Sequence, residues 1–135
     1  MNVLVDTSVW SRALRRARRI DDAIAEELAE LVREGRVAMM GPIRQELLSG
    51  IKVPSHFDRL REHLRAFPDL GLESADYEQA AECFNRGRGR GLQGSNTDFL
   101  ICAVAARRKL AVFTTDEDFG RFAQVLPLEL HAARR

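Results

Sequence analysis

Residues 2–10 read NVLVDTSVW, and the two halves of this stretch call for different backbones. Val3, Leu4 and Val5 are consecutive and apolar, which predicts a short strand buried on both faces. The run stops at Asp6. Thr7 and Ser8 follow, with hydroxyls that can accept from the free N–H groups of a first helical turn, so a short helix capped by them is expected next. A doubly buried strand that passes straight into a helix is the opening unit of a parallel sheet covered by helices. Asp6 then falls at the carboxyl edge of that sheet, where open α/β folds place their ligand crevice.

The alternation continues outward from this stretch. Ile20, Ile24, Leu28 and Leu31 recur at helical spacing within residues 20–34, while Glu26, Glu27, Glu30, Arg33 and Glu34 lie off that face. Gly35 ends this helix, and Val37 to Met40 reads as a second strand. Gly41-Pro42 opens another helix, with Ile43 and Leu47 on one face and Gly50 as its stop. A further amphipathic helix runs from Phe57 through Leu60 and Leu64 to Phe67, and Asp69 to Leu72 forms a short third strand. Ser74 is expected to cap a helix with the stripe Tyr77, Ala80, Ala81 and Phe84. Residues 86–94, rich in Arg and Gly, read as a loop. Ser95, Asn96 or Thr97 caps a helix that is apolar nearly all round from Phe99 to Ala106, as a deeply buried helix must be. Leu110 to Phe113 is a fourth strand, Asp118 to Ala123 a short helix and Leu128 to Leu130 a last strand. The expected architecture is one three-layer α/β/α domain over residues 1–135, with a four- to five-stranded parallel sheet.

Composition narrows the function classes. Apolar residues make up 45% and charged residues 30%, which supports a packed core. Lys and Arg total 21 against 20 Asp and Glu, so bulk charge points to no polyanionic partner and any such case rests on local patterning. Cys83 and Cys102 form no CxxC pair, and the histidines are His56, His63 and His131, which leaves a Cys/His zinc site without ligands. No apolar run approaches the roughly 20 residues of a membrane span. The early acid at Asp6 argues against a secretory leader, so a reduced, cytoplasmic setting is the expectation.

Asp6 follows the first strand and Asp116 the fourth, placing both at the carboxyl edge of the sheet. Asp98 sits in the first turn of the buried helix, where free N–H groups favour a carboxylate. Glu46 lies on the helix after the second strand, and Asp118 is two residues past Asp116. At about 5 Å and an effective dielectric near 20, each ionised pair in such a cluster repels by roughly 3 kcal/mol. Shifted pKa values or a bound cation must relieve that repulsion. An all-oxygen ligand set selects hard divalent ions, Mg²⁺ or Mn²⁺, whose chemistry at a phosphodiester is activation of water and neutralisation of charge in the transition state.

Four stretches carry a resemblance: NVLVDTSVW at 2–10, PIRQELLSG at 42–50, NTDFLICAVA at 96–105 and VFTTDEDFGRFA at 112–123. In this order the chain resembles the PIN-domain ribonucleases, most closely the VapC-type toxins. The resemblance implies that Asp6, Glu46, Asp98 and Asp116 hold one or two metal ions. It implies that Asp118 assists, with either Asp116 or Asp118 as the direct ligand, and that a hydroxyl of Thr7, Ser8 or Thr115 lies nearby. It further implies endoribonuclease activity, a VapB-like antitoxin as partner, and a homodimer. A second reading of the same residues is a catalytically inactive PIN-like module that binds RNA or a protein.

Two basic segments bear on RNA. Arg12, Arg15, Arg16, Arg18 and Arg19 cluster early, and Arg86, Arg88 and Arg90 alternate with Gly87, Gly89 and Gly91. Guanidinium groups on such backbone suit phosphate contacts, and a solvated charged face is the plainer alternative. Gly89 to Gly94 matches GxGxxG, but no strand is expected before it, so a dinucleotide site is rejected. Trp10 and Cys102 read as core residues.

Overall fold

The computed structural model describes residues 1–15 and 22–134. Its elements in chain order are β1 (Val3–Val5), α1 (Thr7–Leu14), α2 (Ala23–Arg33), β2 (Val37–Ala38), α3 (Gly41–Leu48), α4 (Pro54–Leu64), α5 (Ser74–Gly89), α6 (Asn96–Arg108), β3 (Ala111–Phe113) and α7 (Asp118–Phe122). Ile20, Arg16, Arg18 and Arg19 lie outside the described residues.

The three strands are parallel in the order β2-β1-β3, with Val3 opposite both Val37 and Ala111. Val3, Leu4 and Val5 have no exposed surface, as a strand buried on both faces requires. The helices form two groups. In one, α1 packs on α2 and α3, and α3 on α4; in the other, α5 lies along α6, which also packs on β3. The expected third and last strands shrink to single parallel pairings, Met39 with Asp69 and Val112 with Leu130. Pro68 and Pro127 stand just before these segments and offer no N–H to lengthen either ladder.

Local chemistry corrects several boundaries. Asp22 caps α2 by accepting from the N–H groups of Ile24 (3.0 Å) and Ala25 (3.2 Å), so that helix starts at Ala23. Pro54 supplies the first turn of α4, whose buried face ends at Leu64 rather than Phe67. Thr7 and Ser8 do not cap α1; their hydroxyls go to carboxylates. Ser74 is likewise a first-turn residue of α5. The cap is Glu73, whose N–H donates to the Asp76 carboxylate at 2.7 Å.

The largest departure is at residues 86–94. The expected loop is helical through Gly89, because packing overrides the poor helix propensity of glycine. A Cβ at Gly87 would stand 3.0 Å from two carbons of the Phe99 ring, so the glycine is what lets α5 approach α6 closely. The helix ends one step later. Gly91, at φ +78, donates to Arg88 O (3.1 Å) and Leu92 to Gly87 O (2.8 Å), a left-handed stop that satisfies the last carbonyls. Ser95 then caps α6 reciprocally with Asp98: Asp98 N–H donates to Ser95 Oγ (3.1 Å) and Ser95 N–H to Asp98 Oδ2 (3.0 Å). Residues Phe99 to Ala105 of α6 are all buried.

Candidate active site

The sheet delivers Asp6 directly. Its N–H continues the β1–β3 ladder by donating to Phe113 O at 2.9 Å, which brings the ends of both strands side by side. Two hydroxyls then converge on one oxygen of Asp6, with Ser8 Oγ and Thr114 Oγ1 each donating to Oδ2 at 2.8 Å. Each hydroxyl has a single proton, so both are committed to Asp6 and their oxygens accept from elsewhere. Ser8 accepts from the N–H of Thr115 (3.0 Å), and Thr114 from the N–H of Asp116 (3.0 Å). The start of α1 and the segment after β3 are thereby stitched together through one nearly buried carboxylate, 6% exposed.

The other acids join from separate elements. Thr7 donates to Glu46 Oε1 at 2.7 Å, tying the first turn of α1 to α3. Asp98 projects from the first turn of α6. Burial pushes its carboxyl above the ordinary range despite the Ser95 hydrogen bonds, and the charges of Asp6 and Asp116 push the same way. That coupling places Asp6, Asp98 and Asp116 in one electrostatic neighbourhood. Asp116 accepts from the N–H of Asp118 at 2.9 Å. The carboxylate of Asp118 itself is ion-paired with Arg121, a cation the sequence reading overlooked.

Among the described residues no Lys, Arg or His forms an ion pair with Asp6, Glu46, Asp98 or Asp116, although many other acids of the chain are so paired. Arg44, two residues before Glu46 and so on another side of the helix, is turned away: it binds Asp69, the carbonyl of Leu64 at the end of α4 and the carbonyl of Phe67 beyond it. Among the described residues no group of three or more acid, His or Cys side chains stands close enough to hold one ion directly between them. The candidate donors are all carboxylate oxygens, and none is ion-paired among the described residues.

Thr114 is the residue missed by sequence reading, which named Thr115. The motif T-x-D-x-D-F carries the signal, since its threonine is two residues before Asp116. Thr115 contributes its N–H instead of its hydroxyl. Of the arginines, Arg12 is bound to Asp22 at 2.9 Å, and Arg15 is an exposed residue at the end of α1. Arg88 lies over the Phe84 ring at 4.8 Å and donates to Gln93 Oε1 at 3.2 Å. Arg86 and Arg90 are exposed. Trp10 is core, edge-on to Phe67 at 5.2 Å, and Cys102 is buried in α6. A cavity of about 800 Å³ between α1, α2 and α4, lined by Trp10, Leu28 and Phe67 among others, contains none of the five acids.

The match to a family model described as the PIN domain spans residues 3–125. Ribonuclease VapC11 of Mycobacterium tuberculosis is 31% identical over 136 aligned positions, covering 98% of this chain and 99% of the relative. The VapC ribonuclease Mb1587 of Mycobacterium bovis matches to the same degree. Among solved structures, VapBC2 from Rickettsia felis bound to a promoter DNA fragment superposes with a TM-score of 0.78 at 18% identity, over 97% of this chain and 98% of that one. FitAcB from Neisseria gonorrhoeae gives 0.76 at 22% identity, over 96% of each chain. Among the described residues no helix is long and apolar enough to cross a membrane. The chain therefore belongs to the PIN-domain family, as a relative of the VapC ribonucleases.

Proposed function

We propose that this chain, as one nuclease domain over residues 1–135, is a Mg²⁺- or Mn²⁺-dependent endoribonuclease. The observation that carries the proposal is that Asp6 at the end of β1, Asp116 just after β3, Asp98 in the first turn of α6 and Glu46 on α3 form no ion pair with Lys, Arg or His among the described residues, while the charges of Asp6 and Asp116 act on Asp98. The residues fit a hard cation. Every donor is oxygen, and both hydroxyl donors at Asp6 fall on Oδ2, which leaves Oδ1 without a hydrogen-bond partner among the described residues. Asp6, Asp98 and Asp116 would hold the ion, in part through water, with Glu46 contributing from the α1–α3 side; Mg²⁺, which keeps several waters, is compatible with the absence of a tight three-acid cluster among the described residues. When bound, the ion supplies activated water and offsets charge on the phosphodiester. The chain's own contribution is to fix Asp6 through Ser8 and Thr114, and to orient Asp98 through Ser95. Asp118, neutralised by Arg121, is assigned a supporting place rather than that of a direct ligand.

The likeness to VapC ribonucleases and to VapBC structures supports the reading of a toxin held in check by an antitoxin; action in the cytoplasm and as a homodimer is part of the same proposal. The second reading, an inactive PIN-like binding module, is favoured by the Asp118–Arg121 pair and by the absence of a tight three-acid cluster among the described residues. The two separate in one experiment. Purified protein should cleave a mixed RNA substrate with Mn²⁺ or Mg²⁺ and lose activity with chelator. Asp6→Asn and Asp98→Asn should be inactive while keeping a native circular dichroism spectrum. A wild-type protein that binds RNA and never cuts it establishes the second reading instead.

A further inference from the structure

We infer that Arg86 and Arg90, at the end of α5, form a pre-positioned phosphate clamp that holds the RNA strand beside the carboxylate edge, while Arg88 between them braces the clamp and touches no RNA. This rests on the reading of the chain as an RNA-cleaving enzyme and names where its substrate is held.

The placement follows from the hairpin. The helices α5 and α6 pack along one another and are joined by residues 90–95, so the end of α5 lies beside the first turn of α6, which carries Asp98. Arg86 lies in the last turn of α5 and Arg90 is its C-cap, four residues on and about 6 Å further along the axis. That interval matches neighbouring phosphates of an extended strand. Neither forms an ion pair among the described residues; even Glu82, one turn before Arg86, does not take it.

The Arg-Gly alternation reads as a loop, and the structure makes it helical through Gly89 and packed beyond it. Gly87 is seated on Phe99, and a Cβ at Gly94 would come within 2.9 Å of both Phe99 and Phe122. The left-handed stop at Gly91 fixes the turn, and Arg88 clasps Phe84 on one side and Gln93 on the other. Two guanidinium groups launched from a fixed backbone lose less entropy on binding than two on a loop. Their need is electrostatic. A polyanion approaching four uncompensated carboxylates is repelled, and a net charge of +1 gives no general attraction, so local cations must hold the strand. Guanidinium suits this role because it grips phosphate through two parallel hydrogen bonds.

The test uses the full chain and a fluorescently labelled single-stranded RNA oligonucleotide. Anisotropy is read in chelator from about 50 to about 200 mM KCl, and cleavage is read separately with Mn²⁺. The Arg86→Ala/Arg90→Ala variant should bind about tenfold more weakly at the low-salt end, with a salt slope shallower by about 1.4, the value for two phosphates on a single strand. With Mn²⁺ it should show a raised KM and a nearly unchanged kcat. Arg86→Lys/Arg90→Lys should restore most of the slope, and Arg88→Ala should lower the melting temperature while leaving the slope alone. An unaltered slope in the double alanine variant overturns the clamp, as does equal weakening by Arg88→Ala or a wild-type protein that does not bind RNA in chelator. Because binding is read without metal, a protein that binds through this pair but never cleaves would sink the nuclease reading and leave the clamp standing.

Discussion

Replacing Asp76 by alanine removes the anchor that joins the start of α5 to the end of α6. The side chain is 0% exposed and is held by Arg107 at 2.6 Å and Arg108 at 2.8 Å. It also accepts from the N–H of Glu73 at 2.7 Å. Breaking one side of a buried ion pair costs about 3–5 kcal/mol, because the partner charge is left uncompensated. Here the two guanidiniums keep 30% and 27% exposure and regain some hydration, which pulls the figure to the low end. Loss of the helix cap adds about 1 kcal/mol. Asp76→Ala should therefore cost about 3–4 kcal/mol and lower the melting temperature by roughly 10–15 °C for a chain of this size. Asp76→Asn keeps an acceptor for Glu73 and should cost less. A pH arm separates charge from packing. Burial raises the Asp76 carboxyl, but the Glu73 amide and both guanidiniums outweigh it and hold the group below its ordinary 3.8. A carboxyl depressed in the folded state contributes fully above its unfolded pKa and loses that contribution as pH falls through the folded value. The gap between wild type and Asp76→Ala in urea denaturation should thus be constant from about pH 5 to 8 and narrow below about pH 4. A gap under about 1 kcal/mol at neutral pH, or one that stays wide in acid, refutes the reasoning.

Gly94→Ala should lower stability by about 1–3 kcal/mol in thermal melts, because its Cβ meets Phe99 and Phe122 at 2.9 Å; Gly89→Ala, with nothing within 4 Å of its Cβ, should not. Thr114→Val should cut RNA cleavage with Mn²⁺ more than tenfold, by freeing Asp6 and Asp116, at a stability cost of only about 1 kcal/mol. Truncation after Leu130 removes His131 and Arg134 from buried Glu27. Burial raises the Glu27 carboxyl, but the hydrogen bonds from Arg134 and His131 outweigh it and keep the group below 4.5. In the intact chain that contribution is present above this value and lost in acid, so the truncated chain should denature at lower urea at neutral pH and converge with the full chain in acid.

How far the sequence could be read depended on whether local chemistry and packing agreed. The doubly buried β1, a cap among Ser95, Asn96 and Thr97, and the all-apolar α6 are legible because pattern and environment coincide; that Ser95 is the one, paired with Asp98, is seen only in the structure. The Arg-Gly stretch was not legible, because Gly87 reads as a helix breaker until Phe99 is known to lie against it. The positions of Asp6 and Asp116 after strands and of Asp98 in a first helical turn were legible from pattern alone. The role of Thr114, the Arg121 partner of Asp118 and the diversion of Arg44 to Asp69 depend on side-chain direction across long sequence separations, which spacing does not encode.

The decisive property of this protein is whether its carboxylate edge takes a divalent ion. Its most direct measurement is the melting temperature of metal-free protein titrated with Mn²⁺, for wild type and Asp98→Asn. Saturation at about 100 times the dissociation constant should stabilise the wild type by about 2.7 kcal/mol. Asp98→Asn, relieved of repulsion from Asp6 and Asp116, should start at least as stable and gain little. A wild type indifferent to Mn²⁺, or an Asp98→Asn variant with the full rise, contradicts binding there.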